Sequence, residues 1–211
     1  EQVCISEKLH GMSARSGYVA EPDEDGNSTH IFMAGSHEVR RKEIDAKGNR
    51  SAFWVPLENE NLRNLLKELS NDESNVIVFG ELINTQKGFN YGCGSQVGFR
   101  VFDITVNMKY LDFDVVQDIC NKHSIAMVPI LYQGPFSWAK IEELVDGPTE
   151  MCPADKAGSF KGREGIVVKP IKERVSVNYP GDKRIIFKAI SVDYSAYRDK
   201  KGAEEVDASD A

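Results

Sequence analysis

A lysine that follows a short apolar run, with a glycine three residues on, can present its amine at the end of a β-strand. Residues 5–11 read Ile-Ser-Glu-Lys-Leu-His-Gly, and Lys8 is that lysine. An amine held this way can attack an electrophile once it has lost a proton, and its ordinary pKa is about 10.4. Nearby cations or a metal ion favour the neutral amine. Lys-x-x-Gly alone is a common tetrapeptide. Three later segments supply what such a lysine would need: Val78-Phe79-Gly80-Glu81, Glu164-Gly165-Ile166-Val167-Val168-Lys169 and Ile186-Phe187-Lys188.

Glu81 closes one apolar segment and Glu164 opens another. A carboxylate at a strand end is aimed at a cleft, where it can hold a ribose hydroxyl or a magnesium ion. A phosphoryl electrophile also needs cations on its non-bridging oxygens, and Lys188 could supply that field. Phe102, beside Asp103, offers an aromatic face for a base. Singly, these residues read as a core phenylalanine, a strand-end solubiliser and a snorkelling surface lysine. The ordered set carries the argument.

The elements that must position these groups are mostly strands. Residues 2–6 and 13–20 read as strands around a turn at Gly11, and residues 21–29 as a turn-rich loop. Residues 30–34 form another strand. Leu62, Leu65, Leu66 and Leu69 fall at helical spacing within 58–70 and predict a core-facing helix. Residues 75–83 read as a buried strand, 84–98 as a glycine-rich loop, and 99–106 with 109–113 as a hairpin. A short helix over 114–123 and a strand over 125–132 follow. Ser137 opens a helix over 137–145. After a loop over 146–162, strands over 165–171 and 184–190 flank a turn at 178–181. The residues after 200 read as disordered. The class is α+β, with mainly antiparallel sheets flanked by helices.

The chain has 211 residues, 41% of them hydrophobic, enough for one sizeable core. No apolar run approaches the roughly 20 residues of a membrane span. No signal peptide is visible, so an intracellular protein without a membrane partner is expected. The chain does not begin with Met and is expected to be part of something longer. The four cysteines lie far apart with no Cys-x-x-Cys pair, which argues against zinc and for reduced thiols. The net charge of −7 argues against a protein that coats nucleic acid everywhere. Four acids, Glu204, Glu205, Asp207 and Asp210, sit in the last nine residues. Any nucleic-acid surface must therefore be local, at clusters such as Arg40-Arg41-Lys42 or Lys183-Arg184, each of which alone reads as a solvated face.

The ordered set resembles the covalent nucleotidyltransferase superfamily of polynucleotide ligases and mRNA capping enzymes, and within it the ATP-dependent RNA ligases. Glu7-Lys8-Leu9-His10-Gly11 resembles their nucleophile motif. Gly35-Ser36-His37 with Arg40, Arg41 and Lys42 stands where motif Ia is expected. Phe79-Gly80-Glu81-Leu82 resembles motif III and Arg100-Val101-Phe102-Asp103-Ile104 motif IIIa. Glu164 to Lys169 resembles motif IV and Ile186-Phe187-Lys188 motif V. The motifs span residues 7–191 in order. His10 stands where DNA ligases have Asp, and only about 20 residues follow Ser191, too few for the OB-fold module that DNA ligases and capping enzymes place there. The second lysine common in motif V is absent, because Ala189 and Ile190 follow Lys188.

The resemblance implies a nucleotidyltransferase, ATP-grasp-like adenylation fold over residues 1–200, an acidic tail over 201–211, and an accessory module outside this chain. It implies that Lys8 attacks the α-phosphate of ATP, that AMP then passes to an RNA 5′-phosphate, and that a 3′-hydroxyl seals the strand. Glu81 would bind the ribose, Phe102 would stack on adenine and Glu7 would contact its edge. Lys169, Lys188 and Arg40 would meet phosphates, and Ser13 and Arg15 the ribose or phosphates. Glu164 would help hold Mg²⁺ or Mn²⁺. RNA ends are the implied partner and a monomer the implied state. DNA ligase and GTP-dependent capping guanylyltransferase are the alternatives among enzymes. A non-catalytic nucleic-acid binding module is the alternative of another class.

Overall fold

The computed structural model describes residues 1–178 and 183–201. Two antiparallel sheets carry the cleft. Strand β1 (Gln2–Lys8) lies inside the smaller sheet, between β8 (Ile130–Pro135) and β9 (Gly165–Pro170), with β10 (Phe187–Ile190) at the edge beyond β9. The larger sheet runs in the order β4 (Arg40–Arg41), β3 (Ser28–Gly35), β2 (Met12–Pro22), β5 (Val76–Ile83), β6 (Gly98–Val106), β7 (Lys109–Tyr110). Among the described residues every strand pair is antiparallel, and four α-helices flank the sheets, as the strand-rich reading predicts.

Each sheet buries one face under a helix. Helix α1 (Glu60–Ser70) packs Leu62, Leu65 and Leu66 with Val76, Val78 and Ile104 of the large sheet. Its start is fixed by Asn59, whose side chain accepts from the Asn61 amide, and its end by Asn71 in the left-handed region. Helix α3 (Trp138–Val145) begins at Ser137, which caps the Lys140 amide, and packs Ile141 against Val3, Ile5, Ile166 and Val168. These even and odd positions alternate along β1 and β9, so Lys8, Val167 and Lys169 are left for the opposite face. No helix of the described residues is long and apolar enough to cross a membrane.

Several boundaries differ from the sequence reading. The loop predicted over 21–29 is shorter, because β2 continues to Pro22 and the Asp23 carboxylate ties the Asp25 and Asn27 amides into a tight turn. The strand predicted over 125–132 is displaced to Ile130–Pro135: Pro129 has no N–H for a ladder, and residues 126–128 make only a single parallel bridge to Val101. The predicted 109–113 strand stops at Tyr110, because Phe113 already opens α2 (Phe113–Lys122). Only Phe187–Ile190 of the predicted 184–190 strand pairs with β9. Helix α4 (Val192–Lys201) has weak apolar periodicity and was not predicted. The predicted turn at 178–181, apart from Asn178, and the tail beyond residue 201 lie outside the described residues.

Candidate active site between the two sheets

The register of the small sheet brings Lys8 and Glu164 together across 156 residues of sequence. Lys8, the last residue of β1, stands opposite Gly165, the first residue of β9. Glu164 therefore arrives beside the amine, and Lys8 Nζ donates to its Oε1. Two glycines near this pair sit where backbones approach closely. A Cβ at Gly11 would meet the Leu82 carbonyl oxygen at 2.0 Å. One at Gly165 would meet the Ala189 oxygen at 2.1 Å, on a backbone already at φ +154°. The Lys8 side chain is 24% exposed and that of Glu164 7%.

The other Glu164 oxygen faces His10, whose Nδ1 is 3.4 Å from Oε2. The Tyr194 hydroxyl of α4 is 3.2 Å from the same nitrogen, Phe89 packs on the ring at 4.3 Å, and the His10 amide donates to the Tyr91 hydroxyl at 2.8 Å. Burial works against ionisation of Glu164, but His10 and Lys8 beside it override that effect and hold its carboxyl below the usual range. Burial pushes the Tyr91 phenol well up.

A cavity of about 170 Å³ opens between the sheets at this pair. The small sheet contributes Glu7, Lys8, Lys169 and Lys188, and the large sheet Ser13, Glu81 and Phe102. Ser13 and Glu81 are cross-strand neighbours on β2 and β5. Burial raises the Glu81 carboxyl to about 8, against the opposing charge of Lys8. Phe102 sits where the β5–β6 register slips: Phe79 faces Asp103 and Gly80 faces Val101, so Phe102 is the extra residue of a bulge. Lys188 is exposed at the mouth of the cavity.

The remaining predicted residues have more particular surroundings. Glu7 shares the parity of Val3 and Ile5, and its carboxylate accepts from the Thr149 hydroxyl at 2.6 Å and the Glu150 amide at 2.8 Å. Burial raises its pKa despite those donors. Lys169 donates to Asp103 Oδ1 at 2.6 Å and to the Phe102 carbonyl at 2.5 Å. Arg15 and Arg40 are not brought to this cleft. They line a second cavity of about 180 Å³ with Gly35 and Ser36. There Arg15 lies over the Phe79 ring, and Arg40 forms a two-pronged pair with Glu21 at 2.6 and 3.2 Å.

Four groups at the site received no role from the sequence. His10 and Asp103 were visible only as members of motifs. Thr149 lies in a loop, and Arg184 read as part of a solvated basic cluster. Arg184 in fact pairs with both Asp103 and Glu173, stacks over Tyr110 at 3.6 Å, and its guanidinium pKa is raised: these bonds override the effect of burial. No local signal marks that partnership, since Asp103 is 81 residues away.

Solved structures share this fold. A Naegleria gruberi RNA ligase, as a lysine-to-alanine variant with ATP and Mn, superposes with a TM-score of 0.65 at 21% identity, over 97% of this chain and 52% of that one. The same ligase with PPi matches at 0.65 and 21%, over 96% and 52%. A lysine-to-methionine variant with AMP and Mn matches at 0.64 and 21%, over 95% and 52%. The chain thus spans about half the length of these structures. No curated protein matches it. The model of the family described as RNA ligase matches residues 1–190, and on that match the chain belongs to the RNA ligase family.

Proposed function

We propose that residues 1–200 form the adenylation unit of an ATP-dependent RNA ligase that joins 3′-hydroxyl and 5′-phosphate ends. The observation that carries this reading is the Lys8 amine, paired with Glu164 at a cavity that also gathers Glu81, Phe102 and Lys188 from two sheets. Family membership supports it, as do structures of the same fold that hold ATP, AMP and PPi.

In the first step Lys8 Nζ, after giving a proton to solvent, forms an N–P bond to the α-phosphorus of ATP. The bond from that phosphorus to the oxygen bridging to the β-phosphate breaks, pyrophosphate leaves and lysyl-AMP remains. An oxygen of an RNA 5′-phosphate then attacks the same phosphorus and frees the lysine. Finally a 3′-hydroxyl attacks the activated 5′-phosphorus and AMP leaves. Lys188 at the cavity mouth meets phosphate oxygens, Glu81 holds the ribose and Phe102 stacks on adenine.

A divalent cation fits the donor set. Among the described residues no three His, Cys, Asp or Glu side chains converge as a cage. Mg²⁺ needs none, since it keeps waters and binds through one or two carboxylates plus phosphates. Glu164 Oε2 is buried and accepts no hydrogen bond of good geometry, so Glu164 is the residue that would hold the ion. When bound, Mg²⁺ or Mn²⁺ would neutralise charge on the phosphates.

The test is incubation with α-labelled ATP or GTP and Mg²⁺, followed by denaturation. ATP should leave label on the wild-type chain and none on Lys8→Ala, whose melting temperature should stay within about 2 °C because the side chain reaches into a cleft. Absence of any ATP adduct from pH 6 to 9 would overturn the reading.

A further inference from the structure

Lys169 and Phe102 belong to different sheets, yet the lysine is tied to the phenylalanine's backbone. Its Nζ donates to the Phe102 carbonyl at 2.5 Å and to Asp103 Oδ1 at 2.6 Å. The Lys169 side chain is 6% exposed. Two of the three N–H groups of the ammonium are thus engaged across the cleft. Phe102 needs such an anchor, because a bulged residue has no cross-strand partner of its own. The next residue, Asp103, is held on both oxygens by Arg184, at 2.9 and 3.2 Å. Two cations outside the large sheet therefore grip the bulge that aims the Phe102 ring.

We propose that Lys169 is a positioning residue for the nucleobase: it sets the Phe102 ring and does not contact the nucleotide's phosphates. The inference rests on the reading of Phe102 as the surface on which the base stacks. A phosphate-binding lysine acts as a point charge directed at its ligand. Lys169 directs its charge at Asp103, whereas Lys188 stands at the mouth with no ion-pair partner among the described residues.

Three probes separate the two roles: adenosine, ATP and inorganic tripolyphosphate. Lys169→Met keeps the length of the stem and removes the donors, while Asp103 retains Arg184. Its dissociation constants for adenosine and ATP should rise by the same factor, about tenfold. Tripolyphosphate binding should not change. Phe102→Leu should give the same pattern. Loss confined to ATP and tripolyphosphate would mean that Lys169 touches phosphate and would overturn the inference. So would unchanged binding of all three. If wild type and Phe102→Leu bind adenosine equally well, the base-stacking reading itself fails, visibly and before Lys169 is altered. Should Lys169→Met not fold, Asp103→Asn is read by the same three probes with the same pattern expected.

Discussion

Lys8 and Lys169 lie on neighbouring strands of one sheet and line one cavity, but their surroundings are opposite. Among the described residues Lys8 has a single carboxylate ion-pair partner, and its side chain is about a quarter exposed. Lys169 has two acceptors, both on the facing sheet, and is almost fully buried. A lysine with one partner beside open volume can exchange that partner for a ligand. A lysine whose acceptors lie across a cleft holds the cleft's walls in place. Residue type and strand position do not separate the two; the number and placement of acceptors do.

The buried side of this comparison should give the largest effect on stability. Asp103→Ala leaves Lys169 without its carboxylate and Arg184 with Glu173 alone, and should destabilise the fold by about 3–5 kcal/mol in denaturant melts. A loss below about 1 kcal/mol would mean that the network is not a strut. The half-open side should respond in rate. Glu164→Gln keeps the shape of the side chain and removes its charge, and adenylylation should slow about 10²-fold with an altered Mg²⁺ dependence. An unchanged metal titration would remove Glu164 from that role.

Glu81 tests the same cleft by pH. Its folded pKa of about 8 lies above the ordinary 4.5, so the folded state holds the proton more tightly than the unfolded chain. The stability this group contributes is complete below pH 4.5 and is lost as pH rises toward 8. Glu81→Gln should flatten that slope and gain on the order of 2 kcal/mol over wild type above pH 8. Parallel stability curves for the two proteins would contradict the burial argument. The smallest effect is expected at Arg40, an exposed partner of Glu21 outside the cleft. Arg40→Ala should cost less than about 1 kcal/mol and change ATP binding less than twofold. A tenfold loss of ATP affinity would return Arg40 to the nucleotide.

Much of the fold was legible because its signals are local. The leucine stripe of α1, the Ser137 cap and the apolar runs of β1, β5 and β9 follow from spacing alone. Helix α4 was missed because its polar sequence gives little periodicity, although Tyr194 and Tyr197 pack on Phe89 and Phe160. Seven of the ten predicted site residues line the cleft, and Glu164 reaches it through Lys8. Arg15 and Arg40 were assigned to the nucleotide by the resemblance, but β2 and β4 carry them to a different cavity.

By itself the sequence determined which groups are present, in what order, and which of them end strands: an amine, two carboxylates, a ring and several cations, with glycines where backbones must approach. Only the tertiary structure decided which cation faces which acid. That choice depends on strand register and on one bulge, since a one-residue shift turns a side chain to the other face of its sheet. Lys8 and Lys169 are equivalent as letters. The long-range pairing of β1 with β9, and of Lys169 with Asp103, leaves one amine part-exposed beside a carboxylate and buries the other between the sheets.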